Sequence, residues 1–245
     1  DISRKQLESF SPDPIQLSSD ENNFSGIIEV RPDVFWISRI NRNLDLIEWN
    51  RNTGSWHPFK IPYNAAAANE RYFRFSNGIG KKYGDLIWFT DPQRLQMNSY
   101  NLNTGEEKNY PLSENSSDNT AIFDLRVTDS GTVWINNERG LKKLDVETNT
   151  YTQFSLTSPF IVADTLGVTH MTLTEDDKIW SMTIDVPLDA ARQTFGTLLH
   201  KFDPETGIFS HVNIDQNYLD ALNHGFAAAI MTDSKGDVWI SKSNG

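Results

Sequence analysis

Five tryptophans, each set in a short apolar cluster, divide the chain into units of similar length. They are Trp36 in VFWIS, Trp88 in LIWFT, Trp134 in TVWIN, Trp180 in KIWSM and Trp239 in DVWIS, at intervals of 52, 46, 46 and 59 residues. A second marker follows each of the first four, a short strand running into a polar turn. These are IEWNRNTG (Ile47 to Gly54), NSYNLNTG (Asn98 to Gly105), KKLDVETN (Lys142 to Asn149) and HKFDPETG (His200 to Gly207). Asn or Asp opens each turn and Gly or Asn closes it, as a hairpin with a left-handed residue near its end requires. Five positions further on stands an apolar residue: Phe59, Tyr110, Phe154 and Val212. Ahead of three tryptophans lies another tight turn, TDSGT (Thr128 to Thr132), TEDDK (Thr174 to Lys178) and TDSKGD (Thr232 to Asp237).

Each unit therefore reads strand, Asp/Gly turn, Trp strand, loop, strand, Asn/Gly turn, strand. Four short strands in roughly 40–50 residues is the period of a propeller blade. The Trp strands carry apolar residues on both faces, as in Val133-Trp134-Ile135, whereas a sheet with one wet face alternates. Sheets sandwiched between neighbouring sheets explain the pattern. The expected fold class is all-β, a β-propeller made of four-stranded antiparallel blades. About five repeats are present, and an open sheet edge is an aggregation hazard, so they are expected to be part of a larger ring of about seven blades. The expected divisions are 1–25, a strand completing a partial blade (LESFSPDPIQLS, Leu7 to Ser18); 26–62, 63–113, 114–158 and 159–214, blades one to four; and 215–245, a partial fifth blade. PLDAARQTF (Pro187 to Phe195) reads as a loop insertion in the fourth. NAAAANE (Asn64 to Glu70) and ENSSDNT (Glu114 to Thr120) read as connections between blades.

Composition narrows the function. The formal charge is -11, from 22 Lys plus Arg against 33 Asp plus Glu. Such a surface repels phosphate backbones, so no nucleic-acid partner is expected. With no cysteine, thiol nucleophiles, disulfide frameworks and Cys-ligated zinc are excluded. No apolar run reaches the roughly 18–20 residues of a membrane span, and there is no signal peptide at the start, so the chain is expected to be a piece of something longer. No GxSxG, P-loop or GxGxxG stands between a strand and a helix, and GIGKKYG (Gly78 to Gly84) reads as a hairpin loop. No HExxH or similar spacing marks a metal site, and neither metal nor other cofactor is expected.

Candidate site residues come from the innermost strands, whose ends converge around a propeller axis. Aligning those strands puts Ile27, Asp124, His170 and Ala229 at one level and Glu29, Arg126, Thr172 and Met231 two residues on. Asp124, Arg126, His170 and Glu29 can thus face the central channel, either as a ligand site or as ion pairs between adjacent blades. A charge in an otherwise apolar strand is costly unless it is paired. His224, just before an innermost strand, joins His170 as a channel candidate. The repeated tryptophans Trp36, Trp88, Trp134, Trp180 and Trp239 are expected to be structural, filling the contacts between blades. Trp49 aligns with Tyr100, Leu144 and Phe202 and is expected to be core as well. Trp56 has no counterpart in the other units and is the aromatic candidate for an exposed ligand contact.

Two stretches, DSGTVWINNERGLKKLDVETNTYTQF (Asp129 to Phe154) and DSKGDVWISKSNG (Asp233 to Gly245), resemble the two-component regulator propeller repeat. That pattern is an Asp/Gly turn, a Trp strand, then Asn-Gly-Leu, an aromatic and Asp. Asp129, Gly131, Trp134, Gly140, Leu141 and Asp145 occupy those positions in the third unit. Asp233, Gly236, Trp239, Asn244 and Gly245 occupy them in the fifth. The other units match at the Trp and at the later turn. The resemblance implies a periplasmic ligand-sensing module of a bacterial membrane protein, acting on an output domain of the same longer chain, commonly a histidine kinase and sometimes a diguanylate cyclase. It implies no catalysis by the blades. The partner would be a small ligand, such as a carbohydrate or metabolite, and a homodimer is compatible. The alternative is a propeller enzyme of the lyase or lactonase type, with a metal near the channel held by His170 and neighbouring carboxylates.

Overall fold

The computed structural model describes residues 24–39, 46–59, 83–91, 96–112, 122, 124–137, 139–156, 168–174, 176–189, 194–214 and 227–242. Its strands form five antiparallel sheets in chain order. The first contains β1 (Phe24–Arg31), β2 (Val34–Arg39), β3 (Leu46–Asn50) and β4 (Ser55–Phe59). The second contains β5 (Leu86–Asp91), β6 (Gln96–Asn101) and β7 (Glu107–Pro111). The third contains β8 (Asp124–Val127), β9 (Val133–Asn137), β10 (Gly140–Asp145) and β11 (Thr150–Ser155). The fourth contains β12 (Val168–Leu173), β13 (Ile179–Asp189), β14 (Thr194–Asp203) and β15 (Ile208–His211). The fifth contains β16 (Ala227–Thr232) and β17 (Val238–Lys242). Leu7 to Ser18, Asn64 to Glu70 and Glu114 to Thr120 lie outside the described residues.

The turns explain the hairpins. Asn50 Oδ1 accepts the backbone N–H of Asn52 and of Thr53; Asn101 Oδ1 accepts those of Asn103 and Thr104; Asp145 Oδ1 accepts those of Glu147 and Thr148. Asp203 Oδ1 holds the Glu205 N–H in the same way. Each turn then closes on a left-handed residue: Gly54, Gly105, Asn149 and Gly207 have φ of 67°, 71°, 55° and 69°. The turns before the Trp strands share another pattern. Thr128, Thr174 and Asp233 each donate their N–H to the carbonyl four residues on, and each accepts at its own carbonyl from Gly131, Asp177 or Gly236. A side chain of Asn or Asp thus satisfies backbone donors that a tight turn leaves open.

Pro187 to Phe195, expected as a loop, instead lengthens both flanking strands. Val186 pairs with Gly196, Pro187 with Phe195 and Asp189 with Thr194, with register irregularities on either side. Pro187 to Asp189 and Thr194 to Phe195 thus lengthen the two strands, and 190–193 lie outside the described residues.

Apolar clusters fill the seams between successive sheets. Ile28, Val30 and Trp36 of the first sheet meet Ile87 and Phe89 of the second. Trp88, Met97 and Tyr110 meet Leu125, Val127, Val133, Ile135 and Leu144 of the third. Trp134 and Leu141 meet Met171, Ile179 and Phe202 of the fourth, and Met182, Leu199 and Trp180 meet Ile230, Val238 and Ile240 of the fifth. Period-two alternation sends one face of every strand to each neighbour, which is why the Trp strands are apolar on both sides. Trp36, Trp88 and Trp134 are buried and Trp180 half-buried under the Lys201 ammonium, 5.7 Å from its ring. Trp239, at the same position in the fifth sheet, is 59% exposed, and its indole N–H donates to Asp233 at 3.0 Å. Trp49, Leu144 and Phe202 are buried and Tyr100 half-buried; the last three lie in clusters between sheets and Trp49 in a cluster of the first sheet.

Candidate functional site at the inner strands

β8, β12 and β16, the first strands of the third, fourth and fifth sheets, lie side by side across the seams. Asp124 opens β8 and is wholly buried. Its Oδ1 accepts the Leu125 N–H at 2.8 Å and Arg126 Nη1 at 2.5 Å, while Oδ2 accepts the Met171 N–H of β12 at 3.1 Å. Arg126 Nη1 also donates to the Leu125 carbonyl at 2.8 Å, and its side chain remains 16% exposed. Burial pushes the Asp124 carboxyl above the usual carboxylate range. Arg126, then the two backbone N–H groups, then His170 oppose that push. His170, beside Met171, is pushed below the usual imidazole value by burial, and Asp124 pulls the other way.

The cluster therefore joins Asp124, Arg126 and His170, but not Glu29. Trp36 pairs with Ile28, Trp134 with Arg126, Trp180 with Thr172 and Trp239 with Met231. Ile28, not Glu29, shares the level of Arg126, and Gly26, paired with Ser38, shares that of Asp124, paired with Asn136. A one-residue slip exchanges the two faces of a strand. Glu29 is exposed, and its Oε1 accepts the Asp33 N–H at 2.9 Å, in the turn where Asp33 has a φ of 60°. Trp56 is half-buried and stacks on Trp49, ring centroids 5.4 Å apart, beside Phe35. His224 lies outside the described residues.

Two features were not legible in the sequence. Thr232 Oγ1 donates to the Leu173 carbonyl at 2.5 Å, binding β16 to β12 much as Asp124 binds β12 to β8. Asn136, directly opposite Asp124, is wholly buried, and neither atom of its amide has a hydrogen-bond partner. Thr and Asn at sheet positions carry no sequence signal for such roles, because only the pairing of neighbouring sheets reveals them.

Chemically, the acceptor sites of Asp124 are committed to backbone and guanidinium donors. The cluster's outward resource is the part-exposed Arg126, suited to a carboxylate or another oxygen-rich group. Among the described residues no three His, Asp or Glu side chains gather as ligands for a metal ion.

Comparison with solved structures gives the architecture its precedent. The extracellular domain of a protein described as a hybrid two-component system from B. thetaiotaomicron matches at 15% identity and a TM-score of 0.60, over 90% of this chain and 26% of that one. A second such domain from the same organism matches at 18% identity and 0.58, over 92% and 28%. A protein described as a gluconolactonase matches at 10% identity and 0.57, over 91% and 73%. The chain folds as β-propeller blades. At these identities the likeness is one of fold, and the chain spans about a quarter of the length of the two extracellular domains. No family model and no curated protein matches the sequence.

The regulator-repeat positions now have physical roles in these blades. Gly131, Gly140 and Gly236 have φ of 87°, 131° and 82°, Leu141 is buried in a seam, and Asp145 caps its turn. Asn244 and Gly245 lie outside the described residues.

Proposed function

We propose that the chain is a ligand-sensing propeller module, extracytoplasmic in its parent protein and without catalysis of its own. The observation that carries this reading is the chemistry of the inner cluster. A catalytic carboxylate needs an open acceptor and access to substrate. Asp124 has neither, since it is buried and tied to Met171, Leu125 and Arg126. What remains is a rigid scaffold with a guanidinium near its inner edge, which suits binding rather than turnover. The likeness to extracellular domains of two-component systems supports the same reading. In that setting, ligand capture at the inner end of the blades would be passed to an output domain elsewhere in the longer polypeptide.

A thermal-shift panel of carbohydrates and small organic acids tests it. The expected result is at least one compound that raises the melting temperature of the wild-type chain and loses that effect in Arg126→Gln. A panel without a stabilising compound, or a shift indifferent to Arg126→Gln, contradicts binding at this site.

A further inference from the structure

The fourth blade departs from its siblings at one row of its seam-facing surface. The row one residue beyond each repeated Trp runs directly across three paired strands. In the first blade it is Ile37, Ile47 and Pro58; in the second Phe89, Asn98 and Asn109; in the third Ile135, Lys142 and Gln153. In the fourth it is Ser181, His200 and His211. The first member is a large apolar residue three times and a serine the fourth. Two imidazoles follow it on one face.

Residues directly opposite in antiparallel strands have Cβ atoms about 4.5–5.5 Å apart, close enough for side chains to share one ligand. The rings of His200 and His211 have centroids 5.6 Å apart and planes inclined at 58°. Two imidazoles on one tetrahedral ion, with metal–nitrogen distances of about 2.0–2.1 Å, place their centroids roughly 5–5.5 Å apart, so little movement is needed. Ser181 Oγ, next in the row, is buried without a hydrogen-bond partner. Thr183 Oγ1 lies 3.4 Å from His200 Nε2. His200 is buried, while His211 stands exposed on the outermost strand, which opens a route from solvent.

We propose that His200 and His211 chelate a divalent transition-metal ion of the zinc class at the outer end of the seam between the third and fourth blades. Water completes the coordination. Zinc and its neighbours favour imidazole nitrogen, whereas calcium and magnesium favour oxygen, so the donor set selects the former. The two histidines stand on β14 and β15, on the far side of β13 from β12, whose Met171 N–H Asp124 holds. The site departs from the sequence-based expectation of no metal, because ten residues of hairpin lie between the two histidines and only register brings them together.

Isothermal titration of zinc chloride into the chelator-stripped chain tests the site. The expected result is one ion per chain, with affinity at least tenfold weaker in His211→Gln and in His200→Gln, and unchanged in His57→Gln. Outer partners of metal ligands alone carry about 10–100-fold in affinity, so loss of a ligand itself costs no less. His211 is exposed, so His211→Gln keeps the fold and decides the matter if His200→Gln does not fold. Absence of stoichiometric binding to the wild-type chain, or binding that survives His211→Gln, overturns the proposal.

Discussion

The Asp124 carboxylate reaches across a seam to the backbone N–H of Met171, 3.1 Å away, and so ties the inner strand of the third blade to that of the fourth. It is a side chain doing what a hydrogen-bonded strand would do, between sheets that share no ladder. In the same seam Trp134 and Leu141 pack on Met171, Ile179 and Phe202, contacts that are non-directional. The carboxylate adds direction.

Removing it leaves the Met171 and Leu125 N–H groups and Arg126 without their acceptor. Asp124→Ala should cost about 3 kcal/mol, the usual scale for breaking a buried charged hydrogen-bond network. Asp124→Asn keeps one acceptor oxygen but turns an NH2 group toward donors that the second oxygen served, so it should cost less than alanine yet still about 1–2 kcal/mol. Equilibrium urea unfolding of both variants checks the contrast.

The five tryptophans should differ sharply in what they contribute. Trp134 packs edge-on to Phe202, with centroids 5.5 Å apart, and tilted on Phe154 at 5.6 Å. Trp134→Ala should cost about 3–5 kcal/mol, as for large buried aromatics. Trp239 is mostly exposed, so Trp239→Ala should cost no more than about 1 kcal/mol, chiefly the bond to Asp233. Denaturation midpoints of the isolated chain would show the two at opposite ends of the series.

Gly140 and Gly54 both have positive φ, 131° and 67°, but differ in surroundings. A Cβ on Gly140 would overlap the Phe154 carbonyl oxygen and lie 2.8 Å from the Leu156 nitrogen, both backbone atoms that cannot swing away. A Cβ on Gly54 meets nothing within 4 Å. Gly54→Ala should therefore cost only the backbone term of about 1–2 kcal/mol, and Gly140→Ala more than twice that. Thermal melts of the two variants measure the difference.

Acid should weaken the fourth blade. His200 sits at about 4 in the folded chain against 6.5 when exposed, held down first by burial and then by His211. A depressed histidine contributes stability that is fully present above pH 6.5 and is lost as pH falls through 4; here that is on the order of 3 kcal/mol. Asp124, raised by burial, runs the opposite way: its contribution is present below 3.8 and is lost as pH rises through its folded value. Urea unfolding in the presence of a chelator, from pH 7 to 4.5, should show a decline that His200→Phe flattens.

Much of the fold is legible in the sequence because blades repeat. The Trp interval, the Asn/Asp-led turns and the residue that closes each turn are local chemistry, and local chemistry survives translation into structure. The candidate site was legible only in part. Asp124, Arg126 and His170 stand out as charge and imidazole in an apolar strand. The level of Glu29 depends on pairing in β1, where a single residue of offset reverses the face, and no residue in the sequence reports that offset. Thr232, Asn136 and the Ser181–His200–His211 row escape for the same reason: their partners are set by register and by the neighbouring blade. Trp56, expected to lack a counterpart, stands opposite Trp49 as Tyr151 stands opposite Leu144 and Phe209 opposite Phe202, so it occupies a repeated aromatic position and Trp49 gives it a surface to stack on.

The most direct test of binding without turnover is to incubate the chain with a compound that shifts its melting temperature, then analyse the compound by NMR. The account predicts saturable binding, weakened by Arg126→Gln, and recovery of the compound chemically unchanged at stoichiometric and catalytic ratios alike. Time-dependent conversion to a ring-opened or eliminated product, abolished by heat-denaturing the chain, would contradict it.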